Sequence, residues 1–352
     1  MLISRKDGDT EGLGCPALSN ATQWHPSNFA ERAIKSLRKR SQGFFEPVVP
    51  SVERRRIRRF LEDHKVQAVL AEYGPTGCLL MRTCSEAGVP LYVHFHGFDA
   101  SRDLRHKDRV RHYQALFKRA AGVIVPSRYL GDRLIAVGCP RAKLHKSYNG
   151  IDVSRFQPTM RHPNRIVAIG RLVEKKAPHL TISAFGKLRA MFPDARLDMV
   201  GDGPLAERCM TLVNDLALSD CVTLHGAKSR SFVAELLSTA SLFVQHSVTA
   251  PNGDTESFGI SLVEAMACSV PVVVTKHNGF VETVQDGITG LLITEHDVDG
   301  MAGAMAELLN NPSRAAAMGE AGRARVLANF TLTQARDRLR DIMGFPPCTE
   351  AA

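Results

Sequence analysis

The sequence of 352 residues lacks several features that define particular classes of protein. It contains no run of about 18 apolar residues, so it predicts no membrane-spanning helix. Its first residues, MLISRKDGDTEGLG, lack the apolar core of a secretory signal peptide. None of the eight cysteines forms a CxxC pair, so the sequence does not indicate a zinc site. We expect reduced thiols in a cytoplasmic protein.

Signatures of metal and dinucleotide sites are also missing. A nicotinamide-dependent oxidoreductase needs a complete GxGxxG fingerprint and an acidic residue about 20 positions later, whereas VGDGPL at 200–205 lacks the third glycine. The DGD at 7–9 and the DVD at 297–299 have the spacing of metal ligands. The first lies in an irregular segment and the second begins a surface helix. We therefore expect no metal and no bound cofactor.

Basic residues are concentrated in the first half of the chain. Residues 1–150 contain 26 Lys and Arg against 14 Asp and Glu, while the remaining residues contain 19 and 22. This asymmetry indicates an anionic partner, which is a nucleic acid, a membrane surface or a phosphorylated substrate. Nucleic acid is not favoured, because neither an aromatic-interleaved surface nor a helix-turn-helix pattern accompanies the charge.

Two basic segments with helical spacing, ERAIKSLRKR (31–40) and SVERRRIRRFLEDHK (51–65), carry much of this charge. One interpretation is that they are solvated helix faces. The other is that residues 31–65 rest on anionic lipid at the inner face of the cytoplasmic membrane. In that case we expect apolar neighbours to enter the interface, namely Ile34, Leu37, Ile57, Phe60 and Leu61.

From residue 65 onward, short β-rich runs such as PLYVHFHG (90–97) alternate with longer amphipathic runs. This alternation predicts βαβ units with a parallel sheet covered on both faces. A segment with two prolines and no periodicity interrupts it, and RIVAIG (165–170) restarts it. The sequence therefore predicts an α/β protein with two doubly wound domains that face a cleft. We expect a first domain at 1–150 (irregular over 1–28), a linker at 151–164, a second domain at 165–330, and a C-terminal helix within 331–352 that packs back toward the first domain.

The first candidate site lies in DTESFGISLVEAMACSVPVV (254–273), where Glu256 and Glu264 are eight residues apart. The stretch is predicted to contain a loop and the start of a helix, and Gly259 allows close approach to the backbone. The N–H groups at such a helix end favour a phosphate. Alternatively, Glu256 interacts with the helix dipole and Glu264 lies on a solvated helix face.

The second candidate site is the loop in VAIGRLVEKKAPHL (167–180), which places Arg171 and Lys176 after a strand. Ligands bind at this edge of open parallel sheets, and the two cations suit a diphosphate. Alternatively, they are surface charges at a helix start.

A third candidate is HFHGFD (94–99) at the end of a first-domain strand. His94 and His96 are expected to alternate faces, so that one contacts the core and the other looks out of the sheet end. The alternative is that both histidines have only a structural role.

Taken in order, these segments resemble the retaining glycosyltransferases of family four, which have the GT-B fold of two Rossmann-like domains. The similarity runs from about residue 65 to 345. It rests on HFHGFD, residues 125–156, GRLVEKK, VGDGPL and the two spaced glutamates followed by AMACSVPVVVT. The lead-in HSVTAPNGDTESFG (246–259) is similar to bacterial exopolysaccharide enzymes of the colanic-acid kind.

The resemblance implies a retaining transfer of a hexose from a nucleotide sugar to a polysaccharide or glycolipid. The acceptor would therefore be a saccharide or a lipid-linked molecule. The resemblance implies that Arg171 and Lys176 neutralise the diphosphate. It also implies that Glu264 accepts hydrogen bonds from the ribose hydroxyls and that Glu256 lies beside the donor sugar. His96 is implied to reach that sugar from the first domain. Such enzymes generally need no metal. The remaining donor-binding residues implied are Gly170, Gly203, Pro204, Phe258, Gly259 and Ile260.

Two features depart from the family pattern. Ala177 stands where the family usually has Gly. The first strand and the glycine-rich loop that usually begin the first domain are not identifiable, so we expect a shortened first domain with an exposed sheet edge. This second departure keeps open an alternative function, a truncated non-catalytic relative that binds a nucleotide sugar or a partner subunit.

Overall fold

The computed structural model describes residues 2–3, 17–18 and 51–346. Two short strands, β1 (Leu2–Ile3) and β2 (Ala17–Leu18), pair in parallel. The rest of the described chain forms two compact units. The N-terminal unit comprises residues 51–125, 130–146 and 342–345, and the C-terminal unit comprises residues 126–129, 147–341 and 346.

A parallel sheet of four strands forms the centre of the N-terminal unit, with its strands in chain order. The strands are β3 (Val69–Glu72), β4 (Leu91–His94), β5 (Gly122–Val125) and β6 (Leu144–Lys146). The helices are α1 (Ser51–Asp63), α2 (Gly74–Ala87), α3 (Lys107–Arg119) and α4 (Arg128–Ala136). All four residues of β5 are buried, as expected for a strand covered on both faces.

Helix α1 packs against α2 through Ile57 and Leu61, whose exposures are 0% and 1%. Arg54 adds an ion pair with Glu86 of α2, with 3.2 Å between Nε and Oε2. The expectation that Ile57 and Leu61 enter a lipid interface is therefore wrong, because the core of the unit already buries them. The segment 31–40, with Ile34 and Leu37, lies outside the described residues.

The C-terminal unit contains a six-stranded parallel sheet in the order β12-β11-β10-β7-β8-β9. The strands are β7 (Arg165–Ile169), β8 (Arg196–Val200), β9 (Val222–Leu224), β10 (Leu242–Gln245), β11 (Val272–Thr275) and β12 (Leu291–Ile293). The helices are α5 (Pro178–Met191), α6 (Ala206–Asp215), α7 (Arg230–Ser238), α8 (Ile260–Ala267), α9 (Phe280–Thr283), α10 (Val298–Asn310), α11 (Pro312–Asn329) and α12 (Leu332–Ile342).

The strand order reverses between β7 and β10. The chain adds β8 and β9 on one side of β7, then returns to add β10, β11 and β12 on the other. Such a switch point leaves a crevice at the carboxyl ends of the two central strands, where ligands bind in open α/β sheets. The loops that follow β7 and β10 are therefore the ones in which functional residues are expected.

Both faces of this sheet are covered by apolar clusters. The segment VPVVVT (270–275) contains β11, and all four residues of this strand are buried. The prediction of an α/β protein with two parallel-sheet, Rossmann-like units is confirmed. Among the described residues, no helix is long and apolar enough to cross a membrane.

Candidate active site

The loop after β7 carries two of the predicted cations, Arg171 and Lys176. The side chain of Lys176 runs beside Gly170, since a Cβ at Gly170 would lie 3.6 Å from its Cδ and Cε. Gly170, Arg171 and Lys176 line one pocket together with Gln245 at the end of β10. Arg171 is exposed, and its side chain forms no hydrogen bond or ion pair with any residue that the structure describes. The two predicted cations therefore lie at the switch point.

The VGDGPL turn after β8 packs on the β7 loop. A Cβ on Gly203 would lie 2.5 Å from the carbonyl oxygen of Leu172, so only glycine permits this approach. The N–H of Leu205 donates to the same oxygen at 3.0 Å. Pro204 is exposed beside it. The glycine of this turn therefore packs against Leu172, which lines the pocket.

Lys176 and Glu256 form an ion pair, with 2.5 Å between Nζ and Oε2. Each side chain is 14% exposed. Burial acts to raise the pKa of Glu256, but the charges of Lys176 and Lys175 outweigh it and lower the value to about 2. Glu256 is therefore an ionised carboxylate at neutral pH, and it is joined to the β7 loop rather than solvated.

His277 fixes the backbone at Glu256. The Glu256 N–H donates to Nε2 of His277 at 3.1 Å, and Nδ1 of His277 lies 2.5 Å from Oε1 of Glu295. Glu295 also accepts from the N–H of Thr249 at 3.0 Å. Burial lowers the pKa of His277, although the hydrogen bond with Glu295 acts in the opposite direction. Because Nε2 accepts, the neutral ring carries its proton on Nδ1.

Lys175, which the sequence analysis did not select, is the buried cation of this loop. Its Nζ donates to Oδ1 of Asp254 and to the carbonyl oxygen of Thr255, both at 3.1 Å. Its own carbonyl oxygen accepts from the N–H of Val248 at 2.9 Å. Lys175 thereby joins the loops after β7 and β10. The run EKK does not show which lysine faces inward. The contact of His277 with Glu256, described above, has no signal in the sequence either.

The start of α8 lies at the same crevice. Gly259 has φ +82°, and a Cβ there would lie 2.4 Å from Cε1 of Phe280. Ser261 donates through Oγ to the carbonyl oxygen of Ile169 at 3.0 Å, which places the first turn of α8 at the end of β7. Phe258 is buried and Ile260 is 48% exposed. The backbone N–H groups of this turn are therefore near Gly170 and its pocket.

Glu264 lies one turn further along α8 and is half-buried. Among the described residues its carboxylate has no hydrogen bond or ion pair. Burial raises its pKa to about 7, although the charge of Arg230 acts to lower it. The alternative of a solvated helix face does not describe this side chain, whose carboxylate retains its full capacity to accept hydrogen bonds from a ligand.

His96 belongs to the N-terminal unit, where it follows β4. Its Nε2 contacts Oε2 of Glu72, and its ring lies 4.2 Å from that of His94 between centroids. The expectation that His94 and His96 alternate faces is wrong, because residues two apart in a strand share a face and both rings approach Oε2 of Glu72. His94 is buried, whereas the side chain of His96 is 23% exposed.

The structure thus brings Gly170, Arg171, Lys176, Glu256 and the start of α8 together in one unit. Gly203 and Pro204 border this group, and Glu264 lies on the same helix as Ile260. His96 lies in the other unit, with a separate set of contacts.

Comparisons with known proteins identify the class. The family model described as Glycosyltransferase Family 4 matches residues 22–155, and the one described as Glycosyl transferases group 1 matches residues 152–325. A GDP-mannose-dependent alpha-(1-6)-phosphatidylinositol monomannoside mannosyltransferase of Mycolicibacterium smegmatis is 31% identical over 316 residues, which cover 85% of this chain and 80% of that protein. The chain therefore belongs to the family of glycosyltransferases that these two models describe, and it is similar to family four.

Exopolysaccharide proteins are also among the relatives. WcaL of Salmonella typhimurium, described as a colanic acid biosynthesis glycosyltransferase, is 34% identical over 68% of this chain. AmsK of Erwinia amylovora, an amylovoran biosynthesis glycosyltransferase, is 31% identical over 71% of this chain. The chain spans about 60% of the length of WcaL and 62% of that of AmsK.

Solved structures confirm the GT-B fold class. Anabaena HepE in complex with UDP and glucose has a TM-score of 0.76 at 19% identity, over 97% of this chain and 98% of HepE. A sucrose-phosphate synthase of Thermosynechococcus elongatus has a TM-score of 0.73 at 22% identity, over 96% and 86%. At these identities the similarity concerns the fold alone.

Proposed function

We propose that the protein is a retaining glycosyltransferase that moves a hexose from a nucleoside-diphosphate sugar to a saccharide or lipid-linked acceptor. The observation that carries this proposal is the cluster of Arg171, Lys176 and Glu256 at the switch point of the C-terminal sheet. It combines a diphosphate-binding charge with a carboxylate that is ionised at neutral pH. Nothing favours the alternative of a non-catalytic relative.

The diphosphate site is the chemical centre of this function. When the sugar is transferred, negative charge grows on the departing nucleoside diphosphate. Arg171 supplies a planar fork of donors, Lys176 a point charge and the first turn of α8 its N–H groups. Fixed donors of this kind stabilise the transition state without reorganising. Before the donor binds, Glu256 holds Lys176 in place, and the phosphate oxygens would then share its ammonium group.

Glu256 is assigned to stabilising charge on the donor sugar. It is not assigned the role of a proton donor. Because its pKa is about 2, it is not a general acid at neutral pH. Its negative charge instead suits the positive charge that develops on the sugar as the nucleoside diphosphate departs. Glu264, with a carboxylate that makes no contact among the described residues, is assigned to the ribose hydroxyls. His96 of the N-terminal unit is assigned to the donor sugar.

Metal independence is part of the proposal, since Arg171, Lys176 and the helix end supply the positive charge that a metal would supply at a diphosphate. The test is donor turnover in the presence of excess EDTA, which we expect to leave the rate unchanged. A strict requirement for a divalent ion would contradict it.

The names of the relatives define the donors to test. GDP-mannose appears in the name of the Mycolicibacterium relative, and UDP and glucose in that of the HepE complex. We would measure release of nucleoside diphosphate from GDP-mannose and UDP-glucose by the full chain, with lipid-linked and soluble saccharide acceptors. Product anomers determined by NMR would establish retention. If no donor is turned over although one binds, the enzyme assignment fails.

We further propose that α1 contributes an electrostatic attachment to anionic membranes at the inner face of the cytoplasmic membrane. Arg55 and Arg56 are exposed, and neither forms an ion pair with a described residue. Each basic residue near an anionic surface contributes about 1 kcal/mol, weakened by salt. Co-sedimentation with anionic and neutral vesicles tests this. A protein that stays in the supernatant with anionic vesicles at low salt would contradict it.

A further inference from the structure

We propose that Glu72, His94 and His96 form a binding site for a divalent transition-metal ion such as Zn²⁺ at the carboxyl edge of the N-terminal sheet. Each residue offers one ligand atom, and these atoms lie within 4.8 Å of one another. Glu72 ends β3 and His94 ends β4, and the two are directly paired in the parallel register. His96 follows two residues later. The fold therefore converges three ligand-type side chains from two adjacent strands.

The spacing of these atoms is close to that of a metal centre. Nδ1 of His94 lies 3.6 Å from Oε2 of Glu72. Ligands at 2.0–2.2 Å from a tetrahedral zinc ion are roughly 3.4 Å from one another. Nε2 of His96 contacts the same carboxylate oxygen and must separate from it to admit an ion. The side chain of Glu72 is 53% exposed, so it can rotate without disturbing the core.

The chemistry of the three ligands selects the class of metal. Two imidazoles and one carboxylate suit Zn²⁺ and other first-row transition metals, with one position left for water or a ligand. Mg²⁺ and Ca²⁺ prefer sites built from oxygen. The site would therefore discriminate between these two classes of cation.

His94 is the most deeply buried of the three ligands. It is only 5% exposed, and its Nε2 has no hydrogen-bond partner in the described part of the chain. Its closest charged neighbour is the carboxylate of Glu72. Its Nδ1, which lies 3.6 Å from that carboxylate, is therefore the ligand atom, and Nε2 on the other side of the ring would carry the ring proton.

Asp99 makes the arrangement rigid. This buried carboxylate accepts from the N–H groups of His96 at 3.0 Å and Gly97 at 2.9 Å. It also accepts from Gly74, two residues after Glu72, at 3.0 Å. One side chain thus ties together the two segments that carry the ligands. These bonds fix the backbone beside Glu72 and His96, which limits the movement of the segments that carry the ligands.

Occupation of this site has a consequence for the proposed function, and this consequence rests on that proposal. His96 is assigned to the donor sugar, so a metal ion on His96 would remove it from sugar binding. The enzyme would work without a metal and be inhibited by Zn²⁺. The site would then be a point at which transition metals regulate the reaction.

The experiment uses the full chain after EDTA treatment and gel filtration. Binding of Zn²⁺ is measured by calorimetry, and Co²⁺ is added as a spectroscopic probe of the coordination geometry. The variants are Glu72→Gln, in which a partly exposed ligand is lost, and His94→Gln. The matched control is His225→Gln, because His225 pairs with Asp198 at 2.7 Å but belongs to no three-ligand group among the described residues. Thermal unfolding checks that each variant is folded.

We expect wild-type protein and His225→Gln to bind one ion at this site. Loss of a residue that hydrogen-bonds a metal ligand weakens metal binding by about 10–100-fold, and loss of a direct ligand should weaken it at least as much. Equal binding by wild type, Glu72→Gln and His94→Gln would overturn the proposal, as would no binding at all. If binding occurs but turnover of the donor is unaffected by Zn²⁺, the site stands and the assignment of His96 to the sugar fails. If the metal-free protein does not turn over the donor, the proposed function is contradicted. The measured binding of Zn²⁺ is not affected by that outcome.

Discussion

The ion pair between Lys176 and Glu256 leads to a prediction about Glu256→Gln. The substitution keeps the shape of the side chain and the hydrogen bond from the Glu256 N–H to His277, but it leaves Lys176 without its counter-ion. Breaking a fully buried pair costs about 3–5 kcal/mol, and breaking an exposed pair costs about 0–1 kcal/mol. The two side chains are each 14% exposed, so the cost should lie toward the buried case.

The pKa of Glu256 gives a second value for the same cost. It is about 2 in the folded protein, against an ordinary value of 4.5, and this difference corresponds to about 3 kcal/mol. A lowered pKa stabilises the fold above pH 4.5 and loses this effect as the pH falls toward 2. The free energy of unfolding of Glu256→Gln should therefore be about 3 kcal/mol below that of wild type at pH 7, and the difference should fall to less than half at about pH 3.

The assays are urea unfolding at several pH values, calorimetric binding of the donor and steady-state turnover. At neutral pH we expect a fall in melting temperature of about 6–12 °C. Donor affinity should be unchanged or stronger, because Lys176 no longer shares its charge, while turnover falls. The matched control is Glu174→Gln, which removes one negative charge from the same loop at an exposed position without an ion pair among the described residues. Equal stability of the two variants would refute the reasoning, and so would equal losses of affinity and turnover.

Three further outcomes are expected. Arg171→Ala should lower kcat/KM by about 2–4 kcal/mol in transition-state stabilisation without changing the melting temperature, since this side chain has no partner among the described residues. In the wild type, donor binding should strengthen as the pH rises through about 7, where the buried Glu264 ionises. Glu264→Gln should weaken donor affinity and abolish this pH dependence. A pH dependence that persists in the variant would contradict this. Gly259→Ala should destabilise by about 1–3 kcal/mol, because φ is +82° there and Phe280 obstructs the Cβ, whereas Gly303→Ala meets nothing within 4 Å and is the control in chemical unfolding.

The repeating pattern of the sequence was sufficient to predict two parallel-sheet units. Runs such as VPVVVT are apolar at every position but the last, which is the pattern of a strand covered on both faces. The loops after these strands were also predictable, because ligands bind at the carboxyl edge of parallel sheets. Arg171, Lys176 and Glu256 could be selected in this way, and the structure places all three in one unit.

Other features depend on contacts between residues that are far apart in the chain. Lys175 and Lys176 are adjacent in the sequence, and only the turn between β7 and α5 directs one to Asp254 and the other to Glu256. The tautomer of His277 depends on a carboxylate 18 residues later. Likewise, the apolar positions of α1 were compatible with a lipid surface until packing against α2 showed that Ile57 is buried.

The sequence by itself determined the secondary structure, the fold class and the family, because these follow from local periodicity and from motifs read in order. The tertiary structure decided which charges are paired, which carboxylate is fully ionised at neutral pH and which one titrates near it. Glu256 and Glu264 look alike in the sequence, yet a lysine lowers the pKa of the first to about 2 and burial raises that of the second to about 7. The grouping of Glu72 with His94 and His96 was likewise invisible, since the register of β3 and β4 creates it. Charge and coordination depend on distances across the fold, and the sequence does not contain those distances.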